Sequence, residues 1–330
     1  MLREQAERLA ALFGQRQFAA VLREGAPLAA AYPNVVFVRN LLGAAAAELG
    51  RIDDAVQHFS AVVRIAPDKA ESHNNLGLAL GRRGAYADAA ACFREARRLN
   101  PADPGAAVNL GGALLALGQP EAAIESLEAA LAAAPGLPMA LGNLGLALKD
   151  AGRLAEAADR FREVLRTAPR DVETIVNLAA VLAEMGRTEE AVAQYEAALA
   201  IDPKNVPALR NLGVALKSLG RRDRAAECYE RALTLAPGDA ETLNNLGLVD
   251  MERGRKDAAV ARFAAATEAR PEYAAAHNNL GLALLESGRI KAAGEAFDRA
   301  MQLDPDDPNP RINRARAANS QAPLWHIAMM

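Results

Sequence analysis

Apolar positions along the chain fall into two helical stripes, and the pair of stripes returns every 34 residues. In the copy running from 70 to 103 the first stripe is His73, Leu76, Gly77 and Leu80. Their i, i+3, i+4, i+7 spacing marks one face of a helix. The second stripe, Ala89, Phe93 and Ala96, again has helical spacing. Gly84 lies between them and fits a left-handed residue just past a helix end. Pro101 stops the second helix, because proline lacks an N–H and clashes with the preceding turn. Each copy therefore predicts helix, tight turn, helix, stop.

Three unrelated markers share the 34-residue step. Asparagine followed by leucine recurs at Asn75, Asn109, Asn143, Asn177, Asn211, Asn245 and Asn279. Glycine recurs at Gly50, Gly84, Gly118, Gly152, Gly186, Gly220, Gly254 and Gly288. Proline recurs at Pro67, Pro101, Pro135, Pro169, Pro203, Pro237, Pro271 and Pro305. With the asparagine at position 6, the first full repeat is 36–69 and the eighth is 274–307. Such an array buries each unit against its neighbours, so 330 residues need no division into ordinary cores.

Side-chain sizes follow the same register. Positions 8, 20 and 27 are small, as at Gly77, Ala89 and Ala96, where paired helices should cross. Position 24 is Phe59, Phe93, Phe161, Tyr195, Tyr229, Phe263 or Phe297, with Leu127 in the third repeat, and fills the space between repeats. This pattern resembles the tetratricopeptide repeat family over 36–307. The resemblance implies an all-α, right-handed superhelical solenoid of stacked antiparallel helix pairs. Position 4, often tryptophan in that family, departs from it, being Arg39, His73, Ala107, Leu141, Ile175, Leu209, Leu243 or His277.

The ends differ from the repeats. Residues 1–35 keep helical spacing through Leu9, Leu12, Phe13, Phe18, Val21 and Leu22, with a phase slipped by about two residues. They are expected to form a degenerate capping pair. In 308–330, Asn313 again falls at position 6, but Arg314 and Ala315 follow it. A polar capping helix is expected there, with Arg311, Arg314 and Arg316 on its solvated face, followed by an apolar tail around Trp325. That tail is read either as a strap on the last repeat or as a link to a further domain. Its phrase is similar to the lead-in of the methyltransferase domain in repeat-bearing arginine methyltransferase relatives.

Position 6 lies beside the packing stripe, on a second stripe with positions 2, 9 and 13. Asparagine inside a helix costs roughly 0.5 kcal/mol relative to alanine, so seven phased copies call for a reason. Position 5, next door, has drifted through Asn74, Val108, Gly142, Val176, Arg210, Asn244 and Asn278. One reading is structural: each amide bonds neighbouring helix backbone or its ladder neighbour. The other is peptide binding, since a carboxamide matches the donor and acceptor of a peptide bond. In the tetratricopeptide family this stripe lines the concave surface. The repeats look most like those of O-linked N-acetylglucosamine transferase and related bacterial tetratricopeptide proteins, where such asparagines hold the substrate backbone. That resemblance implies the same role for the seven asparagines and none for Leu41, which holds the position in the first repeat.

Charge narrows the partner. Net charge is −3, which gives no basic footprint for nucleic acid. No run of about 18 apolar residues predicts a membrane span, and a cytoplasmic protein is the expectation. Groove positions carry Glu48, Asp150, Glu184, Glu252, Glu286, Glu71, Glu173 and Glu241 against Arg82, Lys149 and Lys217. A mildly acidic groove favours neutral to basic peptides. Basic residues at position 5 and asparagines at position 9, which the family uses to clamp acidic chaperone tails, are missing except for Arg210.

Catalytic chemistry finds no support. Cys92 and Cys228 share a repeat position four repeats apart and read as ordinary thiols. His73 and His277 are six repeats apart and cannot share a metal. No cofactor, metal or catalytic residue is expected. Asp250 stands where other repeats carry a core leucine and needs a partner, with Arg253 or Arg255 in reach; a locally loosened seventh repeat is the expectation. Three functions remain: a non-catalytic peptide- or protein-binding scaffold, the substrate-presenting part of a larger methyltransferase- or glycosyltransferase-linked enzyme, or a structural spacer that self-associates through its ends.

Overall fold

The computed structural model describes residues 2–320, in which every regular element is an α-helix. The Trp325 tail lies outside the described residues. The described residues fall into two compact units that divide between Pro169 and Arg170. The first holds α1 (Leu2–Gly14), α2 (Phe18–Ala31), α3 (Val36–Glu48), α4 (Ile52–Ile65), α5 (Ala70–Arg82), α6 (Tyr86–Leu99), α7 (Pro104–Ala116), α8 (Pro120–Ala133), α9 (Pro138–Asp150) and α10 (Leu154–Thr167). The second holds α11 (Val172–Glu184), α12 (Thr188–Ile201), α13 (Val206–Ser218), α14 (Arg222–Leu235), α15 (Ala240–Glu252), α16 (Lys256–Ala269), α17 (Ala274–Glu286), α18 (Ile290–Leu303) and α19 (Pro308–Ser320).

Each repeat begins a helix at its first position and turns at its glycine. The position-15 glycines have φ between +66° and +84°, the left-handed conformation that glycine adopts without a Cβ penalty. The next residue then bonds back into the helix: Ala85 N–H donates to Leu80 O at 2.9 Å. This closes the carbonyls left open at the helix end.

Paired helices meet where a glycine faces a ring. A Cβ on Gly43, Gly77, Gly145, Gly247 or Gly281 would lie 2.5–2.8 Å from the position-24 ring of its own repeat. The aromatic thus packs within its repeat as well as towards the next: Phe59 clusters with Ala46 and Ala55, and also with Ala79 and Leu76. The fifth repeat pairs Ala179 with Tyr195, both buried.

The first pair corrects the expected slip. Helices α1 and α2 begin at 2 and 18, in phase with α3 and α4 at 36 and 52. Sizes are exchanged instead. Leu9 stands at position 8 and Gly25 at position 24, and a Cβ on Gly25 would meet Leu42 Cδ2 at 2.8 Å and Leu9 Cδ1 at 3.3 Å. Arg16 takes the turn at φ +57°, where later repeats use glycine.

Where position 4 is polar, its side chain has a local use. Arg39 Nε donates to Pro33 O at 2.6 Å and His73 Nε2 to Pro67 O at 2.8 Å. His277 and Arg311 do the same to Pro271 O and Pro305 O at 3.0 and 3.2 Å. Each ties a helix start to the carbonyl of the loop before it. Arg311 is therefore engaged rather than simply solvated. So is Arg314, which lies over Gly294 and pairs with Asp298 at 3.1 Å.

Within each unit successive first helices pack on one another, as α5 on α7 and α7 on α9, or α13 on α15 and α15 on α17. No two successive second helices pack comparably. The first helices therefore form the inner side of each stack, and that side carries position 6.

Candidate peptide-binding stripe

Asn75, Asn109 and Asn143 lie on α5, α7 and α9 in the first unit. Asn177, Asn211, Asn245 and Asn279 lie on α11, α13, α15 and α17 in the second. All seven are half-buried. Asn313, on α19, continues the stripe and is buried.

Several of these amides are held from behind. Asn109 Nδ2 donates to Asn74 Oδ1 at 2.9 Å, Asn279 Nδ2 to Asn244 Oδ1 at 2.9 Å, and Asn313 Nδ2 to Asn278 Oδ1 at 3.0 Å. Position 5 of one repeat thus supports position 6 of the next. Residues 35 apart make these bonds, so comparing equivalent positions hides them. The Asn-Asn pairs at 74–75, 244–245 and 278–279 were their only signal in the sequence.

Where position 5 is not asparagine, other groups act. Asn211 hydrogen-bonds the Tyr195 hydroxyl; burial of that phenol outweighs the bond and pushes its pKa up to about 12. Arg210 turns to Glu241 at 2.9 Å and Asp239 at 3.5 Å. The Tyr229 hydroxyl, at the position equivalent to Tyr195, is buried with no partner. A buried hydroxyl left unpaired costs about 1–3 kcal/mol. Tyr229→Phe is accordingly expected to raise the melting temperature by an amount worth about 1 kcal/mol; a lower melting temperature in a thermal scan would show that the hydroxyl has a stabilising partner.

The acidic positions divide. Asp150 pairs with Lys149 at 3.6 Å, Glu252 with Arg222 at 2.5 Å and Lys217 at 3.7 Å, and Glu286 with Lys256 at 3.6 Å. Glu48, Glu71, Glu173 and Glu184 form no ion pair among the described residues. Both thiols are pushed up by burial, Cys92 and Cys228 alike, away from the thiolate form that reacts. Among the described residues no His, Cys and carboxylate side chains gather in a metal-binding group. None of their helices is long and apolar enough to cross a membrane.

Family models described as tetratricopeptide repeat match residues 74–138, 244–308, 171–238 and 139–168, and one described as TPR repeat matches 43–84. The chain belongs to the tetratricopeptide repeat family. A search of curated proteins gives no match. Among solved structures, the APC/C hetero-tetramer Cut9–Hcn1 is similar to this tetratricopeptide protein with a TM-score of 0.62 and 15% identity. That alignment covers 89% of this chain and 58% of the other, so the chain spans less than two thirds of its length. Two structures of MamA match at 24% and 21% identity, with TM-scores of 0.46 and 0.45. They cover 49% and 57% of this chain and 94% and 97% of theirs. The likeness to Cut9–Hcn1 is one of fold. Tetratricopeptide solenoids are typically non-catalytic scaffolds for protein–protein interaction.

Proposed function

We propose that this tetratricopeptide protein holds an extended segment of another protein along its first helices through the position-6 asparagines. The observation that carries the reading is that the amides are half-buried and that some are fixed from behind. Asn109 and Asn279 each spend one amide proton on Asn74 or Asn244. Each keeps a carbonyl oxygen and a second proton for a ligand. A peptide bond offers the complementary acceptor and donor in every residue, so the grip would tolerate many side chains. The structural and binding roles weighed in the sequence combine in these residues. The resemblance to repeats of O-linked N-acetylglucosamine transferase supports the same reading. Glu173 and Glu184, without ion pairs among the described residues, favour neutral to basic residues beside the second unit's stripe.

Changing Asn177, Asn211 and Asn245 together to alanine, all within the second unit, tests the proposal. Capture on an array of extended peptides should fall about tenfold, on the scale of one or two lost hydrogen bonds. Helical circular dichroism should hold. Undiminished capture with intact helicity sinks the reading.

A further inference from the structure

A recess of about 260 Å³ opens between α5, α7 and α9 of the first unit. Leu78, Tyr86, Val108 and Met139 supply its apolar wall, and Asn109 and Asn143 border it. Leu78, Tyr86 and Met139 are 44%, 39% and 64% exposed. Large apolar side chains grouped in a concave site mark an interaction surface more strongly than scattered ones. The volume lies below the roughly 300–1,000 Å³ of sites that enclose whole small molecules. It suits one large side chain.

Two features of the lining are local. At positions 9 and 12 other repeats carry Leu146, Leu248 and Leu282, or Leu115, Lys149 and Leu285, but this recess has Gly112 and Gly81. A Cβ on Gly81 would meet nothing within 4 Å, and one on Gly112 only Asn143 Nδ2 at 3.7 Å. Helical packing therefore asks for neither glycine, and each costs about 1 kcal/mol of helix stability. The second feature is charge. Arg82 is the one charged residue of the lining, and it makes no ion pair among the described residues. Position 13 is acidic in most other repeats, as at Asp150, Glu184 and Glu252.

We propose that this recess receives a leucine, methionine or phenylalanine side chain of an extended peptide, with an acidic side chain close by in the peptide pairing with Arg82. The proposal deepens the asparagine reading and rests on it for the path of the backbone. Asn109 and Asn143 would hold the peptide bonds on either side of the anchored residue. The apolar anchor supplies most of the affinity, and the arginine selects against basic neighbours. This site thus departs from the neutral-to-basic preference proposed for the second unit.

The test uses the full chain and a fluorescein-labelled peptide of serine, threonine and glycine carrying one Leu-Ser-Asp motif. Control peptides replace its leucine by alanine or its aspartate by lysine. Fluorescence anisotropy should show saturable binding of the first peptide and at least about tenfold weaker binding of each control. Gly112→Leu fills the recess with a side chain that the same position carries in Leu78 and Leu146, so the fold should hold. It should weaken the Leu-Ser-Asp peptide about tenfold. Arg82→Glu should weaken it too and restore the lysine-bearing control.

No saturable binding by the unaltered chain overturns the proposal, as does binding indifferent to Gly112→Leu. Equal binding of the aspartate and lysine peptides removes the acidic partner. The two readings fail separately. If Asn109→Ala with Asn143→Ala leaves binding intact while Gly112→Leu abolishes it, the asparagine grip is wrong and the recess stands. The reverse pattern keeps the grip and discards the recess.

Discussion

Gly145→Val should destabilise the first unit by about 3 kcal/mol, the upper range for overpacking a well-filled core. The Cβ alone would lie 2.6 Å from Phe161 Cε1, 2.8 Å from Cζ and 2.9 Å from Cδ1. Phe161 is 1% exposed and cannot swing into solvent. Helix propensity works the other way, but valine improves on glycine by less than about 0.5 kcal/mol. The clash therefore wins. Because each repeat rests only on its neighbours, the damage should centre on α9 and α10 rather than spread evenly. Urea unfolding followed by circular dichroism reads the size, and hydrogen exchange reads the place. Combining Gly145→Val with Phe161→Ala should cost less than the two single changes summed, since the second removes what the first strikes. Strict additivity would mean that the ring and the glycine do not share the space assigned to them.

The second large effect is in the seventh repeat. Asp250 is 4% exposed at a position where other repeats bury leucine. Its carboxylate pairs with Arg255 at 2.8 Å, and its backbone carbonyl accepts the Arg255 N–H at 2.8 Å. Arg253, the other candidate, pairs with Asp223 instead. Removing one partner of a buried pair typically costs 3–5 kcal/mol. Arg255 is 49% exposed, so water already shares its charge, and Arg255→Ala should cost about 2 kcal/mol. Asp250→Leu removes the buried charge altogether and should raise stability by about 1 kcal/mol or more. Thermal melting of the two variants beside the parent decides the matter. Equal losses from both would make the ion pair a stabilising element in its own right. The seventh repeat thus carries a buried carboxylate bonded to Arg255 where other repeats carry leucine.

Most of the fold was legible because one residue type at one position forces one piece of geometry. Gly84 had to be left-handed, Pro101 had to end a helix, and Gly77 had to face Phe93. The first pair was harder. Leu9 and Gly25 conserve the volume of a crossing while exchanging which helix supplies it, and apolar spacing alone reads that as a shift. The asparagine stripe was legible as a stripe. Its supports were not, because Asn74 and Asn109 bond across two different positions of neighbouring repeats. Arg314 looked like surface for a similar reason: its partner Asp298 belongs to the preceding helix, sixteen residues away. The recess beside Arg82 depends on what Gly81 and Gly112 omit, and an omission becomes a cavity only when the neighbouring helices are in place.

The exchanged sizes of the first pair also give the stack a direction in which it can be copied. Units whose position 8 is a hole and whose position 24 is a ring are interchangeable parts, and duplication among them preserves every fit. Gly25 instead receives Leu42 from the following repeat and Leu9 from its own partner. A duplicated ordinary unit spliced between α2 and α3 would have to offer a leucine in the place of Leu42, as Leu76 and Leu110 do in their own repeats. A duplicate of α1 and α2 spliced downstream would offer Arg8 and Leu9 where Leu76 and Gly77 now sit, and its arginine would enter the apolar seam. Lengthening by copying is therefore open to the repeats and closed to this pair.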